Sequence, residues 1–169
     1  MSQSHFDSKK VKALIFDFDG VFTDNSVFVG SNGIEMLKFS KLDSLGLDLF
    51  RSYLLENNSQ MTLAIVSKES SEIVTMRAKK LKLDCFQSIS DKWQFISQSL
   101  GLSKGQYVYF GNDLNDKESM EKALFSFAPF DAHPEIKKIA THILVQRGGD
   151  GFVRAGLELL MGKAEHQGE

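Results

Sequence analysis

The chain has 169 residues with a formal net charge of −2 at pH 7, and 42% of its residues are hydrophobic and 25% charged. These values are typical of one globular domain with a sizeable core. The slightly negative charge and the lack of a basic tract argue against a nucleic-acid partner.

Cysteine content and hydropathy indicate the compartment. The single cysteine, Cys85, excludes an intramolecular disulfide framework and suits a reducing environment, and we interpret it as a small buried hydrophobic residue. No apolar stretch reaches membrane-spanning length, and residues 1–10 lack the apolar core of a signal peptide. We therefore expect a soluble, cytoplasmic protein with no membrane partner.

Strand-like and helix-like patterns alternate along the chain. In chain order they predict a strand at 11–16, a hairpin of 21–29 with 35–39, a helix at 44–57, a strand at 62–66, a helix at 70–81, a strand at 85–88, a helix at 92–100, a strand at 107–110, a helix at 116–123, a strand at 125–128, a helix at 134–139, a strand at 142–145 and a helix at 150–161. This alternation predicts one α/β domain over residues 10–162, with a doubly wound, mainly parallel sheet. The polar ends, 1–9 and 163–169, are predicted to be disordered tails.

The end of the first predicted strand carries two closely spaced carboxylates. Asp17 and Asp19 follow the apolar run 11–16 and precede a glycine. Open α/β sheets bind their ligands at the carboxyl ends of strands. Side chains at i and i+2 of an extended strand point the same way, so the two carboxylates repel each other unless a cation or a proton lies between them. The alternative is an ordinary surface Asp-x-Asp-Gly turn.

Polar side chains with a chemical use also follow three later strands. Ser67 follows the second buried strand, Lys92 follows the third, and the acidic segment 111–116 follows the fourth. Because the carboxyl ends of parallel strands meet at one edge, we expect these groups beside the aspartate pair. A hydroxyl and an ammonium can hold phosphoryl oxygens, and a carboxylate held against a Mg²⁺-bound phosphate can attack phosphorus. Taken singly, they could be a helix cap, a solvated helix start and an ordinary loop.

This order of polar residues resembles the haloacid dehalogenase (HAD) superfamily of phosphohydrolases across essentially the whole chain between its tails. The resemblance implies a Rossmann-like HAD core with a β-hairpin insertion and Mg²⁺ as cofactor. It implies that Asp17 is the catalytic nucleophile and Asp19 the general acid/base, and that Ser67 and Lys92 bind the phosphoryl group. The metal ligands that it implies are Asp17, Asp19, and Asn112 with Asp113.

Two motifs narrow the resemblance to one subgroup. The segments 19–24, Asp-Gly-Val-Phe-Thr-Asp, and 147–154, Arg-Gly-Gly-Asp-Gly-Phe-Val-Arg, look like those of 3-deoxy-D-manno-octulosonate 8-phosphate phosphatases. That subgroup includes the nonulosonate (N-acylneuraminate) 9-phosphate phosphatases. The resemblance implies hydrolysis of a phosphate monoester on an eight- or nine-carbon 2-keto-3-deoxy sugar acid, through an aspartyl-phosphate.

One position departs from the subgroup. Most members have aspartate after the glycine at 111, whereas this chain has Asn112, whose carbonyl oxygen can ligate Mg²⁺ but carries no charge. A similar Gly-Asn start occurs in domains fused to sialic-acid cytidylyltransferases, some of which have lost catalysis. A weakly active or non-catalytic oligomerisation module is therefore the alternative. In the inactive kind the nucleophilic aspartate is also changed, and because Asp17 and Asp19 are intact here we favour an active enzyme.

The spacing of the motifs excludes a separate cap domain. Asp17 and Ser67 are 50 positions apart, and one hairpin and one helix fill that interval. An uncapped site exposes its intermediate to water, so another element must cover it. The hairpin could project toward a neighbouring subunit, and the segment 147–154, with cationic Arg147 and Arg154, could bind the substrate over a neighbour's site. The resemblance implies this arrangement in a homotetramer; the alternative is a turn before a C-terminal helix.

The helix after Ser67 carries a candidate specificity set. Arg77 and Lys80 share a helix face at i, i+3 and could hold the substrate carboxylate, with Glu69 bonding sugar hydroxyls. A similar Glu/Arg/Lys set occurs in members resembling the nonulosonate 9-phosphate phosphatases. A solvated charged helix face explains the same residues.

Overall fold

The computed structural model describes residues 6–163 of the chain. Its strands are β1 (Ala13–Phe16), β2 (Phe28–Val29), β3 (Glu35–Met36), β4 (Thr62–Val66), β5 (Asp84–Phe86), β6 (Tyr107–Phe110), β7 (Phe125–Ala128) and β8 (His142–Ile143). Its helices are α1 (Lys41–Glu56), α2 (Glu72–Leu81), α3 (Lys92–Gln94), α4 (Lys117–Lys122), α5 (Pro134–Ile139) and α6 (Phe152–Leu160). A π-helical turn at Phe95–Ser99 continues α3, and a 3₁₀ turn at Leu114–Asp116 precedes α4.

Six strands form one parallel sheet in the order β5-β4-β1-β6-β7-β8. The central strand β1 lies between β4 and β6, with Phe16 in register with Ile65 on one side and Phe110 on the other. The short strands β2 and β3 form a separate antiparallel pair, the predicted hairpin. The chain therefore has the predicted α/β sheet, and the carboxyl ends of β4, β1 and β6 are neighbours.

Apolar side chains fill both sides of this sheet. Successive residues of β1 point to opposite faces, so that Leu14 and Phe16 belong to one buried cluster and Ala13 and Ile15 to another. Helices α1, α2 and α6 cover the first cluster, while the π-helical turn, α4 and α5 cover the second. This two-sided packing confirms the doubly wound architecture. In the part of the chain that the structure describes, no helix is long and apolar enough to cross a membrane.

Several element ends differ from their predicted positions for local reasons. Helix α2 begins at Glu72, not at 70, because Ser71 is its N-cap and the Ser71 hydroxyl accepts the Ile73 N–H at 3.2 Å. The predicted strand 21–29 is mostly wrong, since residues 19–22 form a turn in which the Phe22 N–H donates to the Phe18 carbonyl at 2.9 Å. Only Phe28 and Val29 of that segment are paired as a strand.

The N-terminal segment is ordered further than the sequence predicted. Phe6 is buried against Phe50 of α1, with ring centroids 6.3 Å apart. The Ser8 hydroxyl lies 2.7 Å from the Ser59 hydroxyl. The predicted disordered tail 1–9 is therefore wrong for residues 6–9, while residues 1–5 lie outside the described part. At the other end, residues 164–169 of the predicted tail 163–169 also lie outside it.

The glycine-rich segment 147–154 packs against its own chain. A Cβ on Gly148 would lie 2.1 Å from the Gly20 carbonyl oxygen, so only glycine permits this approach to the turn after β1. The Gly149 N–H donates to the Val21 carbonyl at 3.1 Å. The segment then enters α6, whose Arg154 N–H is accepted by the buried carboxylate of Asp43 in α1 at 3.0 Å. The segment was expected to lie over a neighbouring subunit. In this structure its contacts are instead with its own chain.

Candidate active site

The carboxyl ends of β4, β1 and β6 open into one cavity of about 390 Å³. Because these three strands are adjacent and parallel, the residues that follow them are brought together at one edge. Ten residues line the cavity: Asp17, Asp19, Asn25, Ser67, Lys68, Glu69, Asn112, Asp113, Leu114 and Asn115.

Asp17 is the most buried carboxylate of the cavity wall and is tightly held. Its Oδ1 accepts the Phe18 N–H at 2.7 Å and lies 2.7 Å from the Lys92 Nζ. Burial, and next the nearby carboxylate of Asp116, raise the pKa of Asp17 to about 7, although Lys92 opposes this shift. Asp17 is therefore a fixed carboxylate at the base of the cavity, a geometry that suits a nucleophile.

Lys92 lies beneath the cavity, with a fully buried side chain between two carboxylates. Its Nζ is 2.7 Å from the Oδ1 of Asp17 and 2.7 Å from the Oδ1 of Asp116. Burial by itself lowers the pKa of this ammonium, but the two carboxylates outweigh it, so the pKa is raised and the group stays charged. The predicted phosphoryl-binding cation is thus beside the predicted nucleophile.

Asp116 organises this cluster, although it was not among the site residues predicted from the sequence. Its Oδ1 accepts hydrogen bonds from Lys92 Nζ at 2.7 Å and from the Tyr109 hydroxyl at 2.8 Å. Its Oδ2 accepts the backbone N–H groups of Asn112 at 2.9 Å and Asp113 at 3.3 Å. One fully buried carboxylate therefore fixes both the lysine and the loop after β6. The available signal was its position inside the acidic segment 111–116.

Asp19 lies at the cavity wall, less buried than Asp17. Its Oδ1 accepts a long hydrogen bond from the Thr23 hydroxyl at 3.5 Å. Partial burial, and next the negative charge of Glu69, raise the pKa of Asp19 above its usual value. A raised pKa favours the protonated form of the carboxyl group, which is the form that a general acid needs.

Asn112 supplies a buried oxygen with no partner. Its Oδ1 has no hydrogen bond within the described residues, although the side chain is only 8% exposed. Gly20 makes room for it, because a Cβ there would lie 1.9 Å from the Asn112 Nδ2 and the backbone at Gly20 has a φ of +74°. An unsatisfied buried carbonyl oxygen beside two aspartates fits a hard cation such as Mg²⁺.

Asp113, the other predicted metal ligand at this loop, has a local structural role. It is exposed at the cavity wall, and its Oδ1 accepts the Leu114 N–H at 2.7 Å, which caps the 3₁₀ turn. No cluster of three or more His, Cys, Asp or Glu side chains in residues 6–163 is arranged to hold a metal ion. A cation here would therefore take part of its coordination from the neutral Asn112 oxygen.

The predicted substrate-binding residues are only partly brought together. Ser67 and Glu69 line the cavity, but Arg77 does not. The Arg77 guanidinium donates to the Ser40 carbonyl at 3.1 Å and the Ser44 hydroxyl at 3.0 Å, and lies 4.9 Å from the centroid of the Phe39 ring. Arg77 joins α2 to α1 through these contacts, so the structure does not bring it to the cavity where it was expected to bind substrate. Lys80 is exposed on α2 and is not part of the cavity wall.

The two arginines of the segment 147–154 also lie outside the cavity. Arg147 is 3.8 Å from the carboxylate of Asp131, and Arg154 donates from its Nε to Glu158 at 2.8 Å. Both were predicted to bind substrate on a neighbouring subunit, and here both have partners within their own chain. The structure instead adds to the cavity wall four residues that the sequence analysis did not select: Asn25, Lys68, Leu114 and Asn115.

Comparison with known proteins now identifies the family. A family model for haloacid dehalogenase-like hydrolases matches residues 56–155. The chain belongs to the haloacid dehalogenase-like hydrolases. The resemblance to the octulosonate phosphatase subgroup is also confirmed. The 3-deoxy-D-manno-octulosonate 8-phosphate phosphatase KdsC of Salmonella typhi is 30% identical over 158 residues, covering 91% of this chain and 81% of that protein.

Solved structures agree with this assignment. The 3-deoxy-D-manno-octulosonate 8-phosphate phosphatase of Moraxella catarrhalis, in complex with a magnesium ion, a phosphate ion and KDO, matches with a TM-score of 0.81 and 28% identity over 92% of this chain and 88% of that one. The cobalt-bound phosphatase of Haemophilus influenzae matches with a TM-score of 0.77 and 26% identity over 92% and 90%. The prediction of a phosphoric monoester hydrolase is therefore confirmed.

Proposed function

We propose that this HAD hydrolase is a Mg²⁺-dependent phosphatase that removes phosphate from an eight- or nine-carbon 2-keto-3-deoxy sugar acid. The observation that carries the proposal is the buried Asp17, held by Lys92, in a cavity wall shared with Asp19 and the unpartnered oxygen of Asn112. Phosphoryl transfer to a carboxylate needs a nucleophilic carboxylate, a cation beside it, a general acid and oxygen ligands for Mg²⁺, and these residues can provide them.

The proposed reaction has two steps. An oxygen of Asp17 attacks phosphorus, the bond from phosphorus to the sugar oxygen breaks, and Asp19 donates its proton to the leaving alkoxide. Asp19 then takes a proton from water, whose oxygen attacks phosphorus and releases inorganic phosphate from the aspartyl-phosphate. The raised pKa of Asp19 favours the protonated form that the first step needs. Transfer of that proton leaves the carboxylate that acts as the base in the second step.

Positive charge and hydrogen bonds support the phosphoryl group. The Lys92 ammonium lies beside Asp17, and the hydroxyl of Ser67 belongs to the same cavity wall. Both can neutralise phosphoryl oxygens as charge develops. Oxygens of Asp17, Asp19 and Asn112 would hold Mg²⁺, with the Asp19 carboxyl left to transfer protons, and the ion would supply further positive charge to the phosphoryl group when bound.

The choice of substrate class rests on the relatives. The similar proteins are named as octulosonate 8-phosphate phosphatases, and one of the matching structures contains KDO. Glu69 lines the cavity, where it can accept hydrogen bonds from sugar hydroxyls. An eight-carbon and a nine-carbon sugar acid share the carboxylate and the phosphate ester, so both belong to the proposal.

A non-catalytic assembly module is the second candidate, and Asn112 is the observation that favours it. The neutral amide weakens the attraction of the site for a cation. The described residues also lack a cluster of three metal-binding acidic or histidine side chains. The intact pair of Asp17 and Asp19 opposes this candidate.

Phosphate release from a substrate panel distinguishes the two candidates. The panel contains octulosonate 8-phosphate, N-acetylneuraminate 9-phosphate, glucose 6-phosphate and p-nitrophenyl phosphate, each with Mg²⁺ or with EDTA. We expect Mg²⁺-dependent release with the highest kcat/KM on one of the two sugar acids. Absence of release from every ester at saturating Mg²⁺ would favour the assembly module, and equal kcat/KM on all four esters would refute the proposed substrate class.

We also propose that the chain forms a homo-oligomer, with a tetramer as the expected state, through the hairpin β2–β3. Phe28 and Met36 are cross-strand partners, and 58% and 59% of their surfaces are exposed. Val27, Val29 and Ile34 are exposed beside them. An apolar surface of this kind on a two-stranded hairpin is suited to pairing with another subunit.

Sedimentation analysis tests the oligomer. The double variant Phe28→Ser with Met36→Ser is expected to shift the protein to a smaller species, because it removes the apolar contact. Leu55→Ser is the control, since Leu55 is an exposed apolar residue of α1 outside the hairpin. A monomeric wild-type protein, or a double variant with unchanged mass, would refute this interface.

A further inference from the structure

The anionic substrate proposed above carries two negative groups, and the phosphoryl group already has its binding partners. Lys92 is paired with Asp17, and Ser67 lines the same cavity wall as Asp17. Both are therefore placed to bind the phosphoryl group. The carboxylate of a sugar acid needs a second cation or a set of hydrogen-bond donors. The sequence analysis assigned this role to Arg77 and Lys80, and among the described residues both lie outside the cavity wall, so the carboxylate needs another partner.

Lys68 is the basic residue that lines the cavity. Within residues 6–163, Arg77, Arg147 and Arg154 are engaged with other groups outside the cavity wall. Lys68 is exposed, and none of the ion pairs among the described residues includes it. Its ammonium is therefore available to an incoming anion.

The position of Lys68 along the chain separates it from the reacting atoms. Ser67, the first residue after β4, is buried, whereas Lys68, the next residue, is exposed. The two neighbours thus occupy the inner and outer parts of one cavity wall. Asn25 and Asn115, which line the same cavity, can donate hydrogen bonds to a carboxylate or to hydroxyls.

We propose that Lys68 is a specificity residue that binds the carboxylate of the sugar-acid phosphate while Asp17 and Lys92 engage the phosphate. This inference rests on the proposed function. Four other residues of the wall are acidic: Asp17, Asp19, Glu69 and Asp113. Among the described lining residues, Lys68 is therefore the group that can attract a second negative group of the substrate. Phosphate esters without a carboxylate cannot form this interaction with Lys68.

Replacing Lys68 with methionine keeps most of the side-chain length and removes the charge. Charge-assisted hydrogen bonds are strong enough for kcat/KM on octulosonate 8-phosphate to fall by about 10-fold or more. On glucose 6-phosphate and p-nitrophenyl phosphate, which have no carboxylate, kcat/KM is expected to stay close to the wild-type value. Lys68→Arg keeps the charge and is expected to retain the preference for the sugar acid.

Lys79→Met is the matched control, because Lys79 is an exposed lysine of α2 outside the cavity wall. Equal losses on all three esters in Lys68→Met would overturn the proposal, since they would indicate a role in phosphoryl binding or in folding. An unchanged preference for the sugar acid would also overturn it and would place the carboxylate on another group. A wild-type protein that lacks this preference would overturn the proposed substrate class itself, before any variant is compared.

Discussion

Asp17→Asn is expected to lower kcat by at least about 10³-fold, the largest effect of any substitution in this chain. The amide cannot form the bond to phosphorus that the carboxylate forms, and within residues 6–163 no other carboxylate is both paired with Lys92 and open to the cavity. Asp116, the second partner of Lys92, is fully buried and does not line the cavity. Phosphate release from octulosonate 8-phosphate in Mg²⁺ measures the loss.

The fold is expected to survive this substitution. The asparagine carbonyl can still accept the Phe18 N–H, and Lys92 keeps its ion pair with Asp116. Because burial raises the pKa of Asp17 to about 7, the charged form is costly, and its removal offsets part of the lost ion pair. We expect the free energy of unfolding in urea to change by less than about 2 kcal/mol.

Asp48→Asn is the control for the loss of a carboxylate elsewhere. Asp48 is an exposed residue of α1 paired with Arg51 at 3.0 Å. It should retain wild-type kcat. If purified Asp17→Asn kept a rate within 10-fold of Asp48→Asn, then Asp17 would not be the nucleophile.

The sequence was sufficient for those parts of the site that depend on strand order. Asp17, Ser67 and Asn112 each follow a buried apolar strand, and neighbouring parallel strands bring their carboxyl ends to one edge whatever the details of packing. Alternation of short apolar runs with helical periodicity is a local property, so the strands β1, β4 and β6 could be predicted closely.

Helix faces and loop contacts could not be predicted in the same way. The i, i+3 spacing of Arg77 and Lys80 places them on one face of α2, but the packing of α2 against α1 decides which way that face points. Arg77 consequently lies on Phe39 and Ser44 rather than in the cavity. The segment 147–154 was predicted to cover a neighbour's site or to form a turn, and only the folded chain shows its close approach to the turn after β1.

Burial was the second property that the sequence could not supply. Asp116 is one of two aspartates in the loop that follows Asn112, and nothing in the spacing distinguishes the exposed Asp113 from the fully buried Asp116. A buried carboxylate is retained only where donors satisfy it. For Asp116 these donors are the side chains of Lys92 and Tyr109 and two backbone N–H groups.

Asp116→Asn is accordingly expected to be the most destabilising change at the site, with a loss of about 3 kcal/mol. Asparagine offers one acceptor oxygen where four donors converge, and it removes one of the two charges that hold Lys92. We expect kcat to fall by about 10²-fold, because the lysine loses its fixed position beside Asp17. Urea unfolding and phosphate release measure the two effects.

Tyr109→Phe separates positioning from folding if Asp116→Asn does not fold. The Tyr109 hydroxyl donates to the Oδ1 of Asp116, the same oxygen that holds Lys92, and burial followed by the charge of Asp116 raises its pKa so that it stays protonated. Tyr107→Phe is the matched control on the same strand, since the Tyr107 hydroxyl is buried and donates to the Ser119 carbonyl at 2.7 Å. Each variant loses one buried hydrogen bond, at a cost of about 1 kcal/mol. We expect only Tyr109→Phe to lower kcat, and equal kcat in the two variants would show that Asp116 needs no support from Tyr109 to hold Lys92.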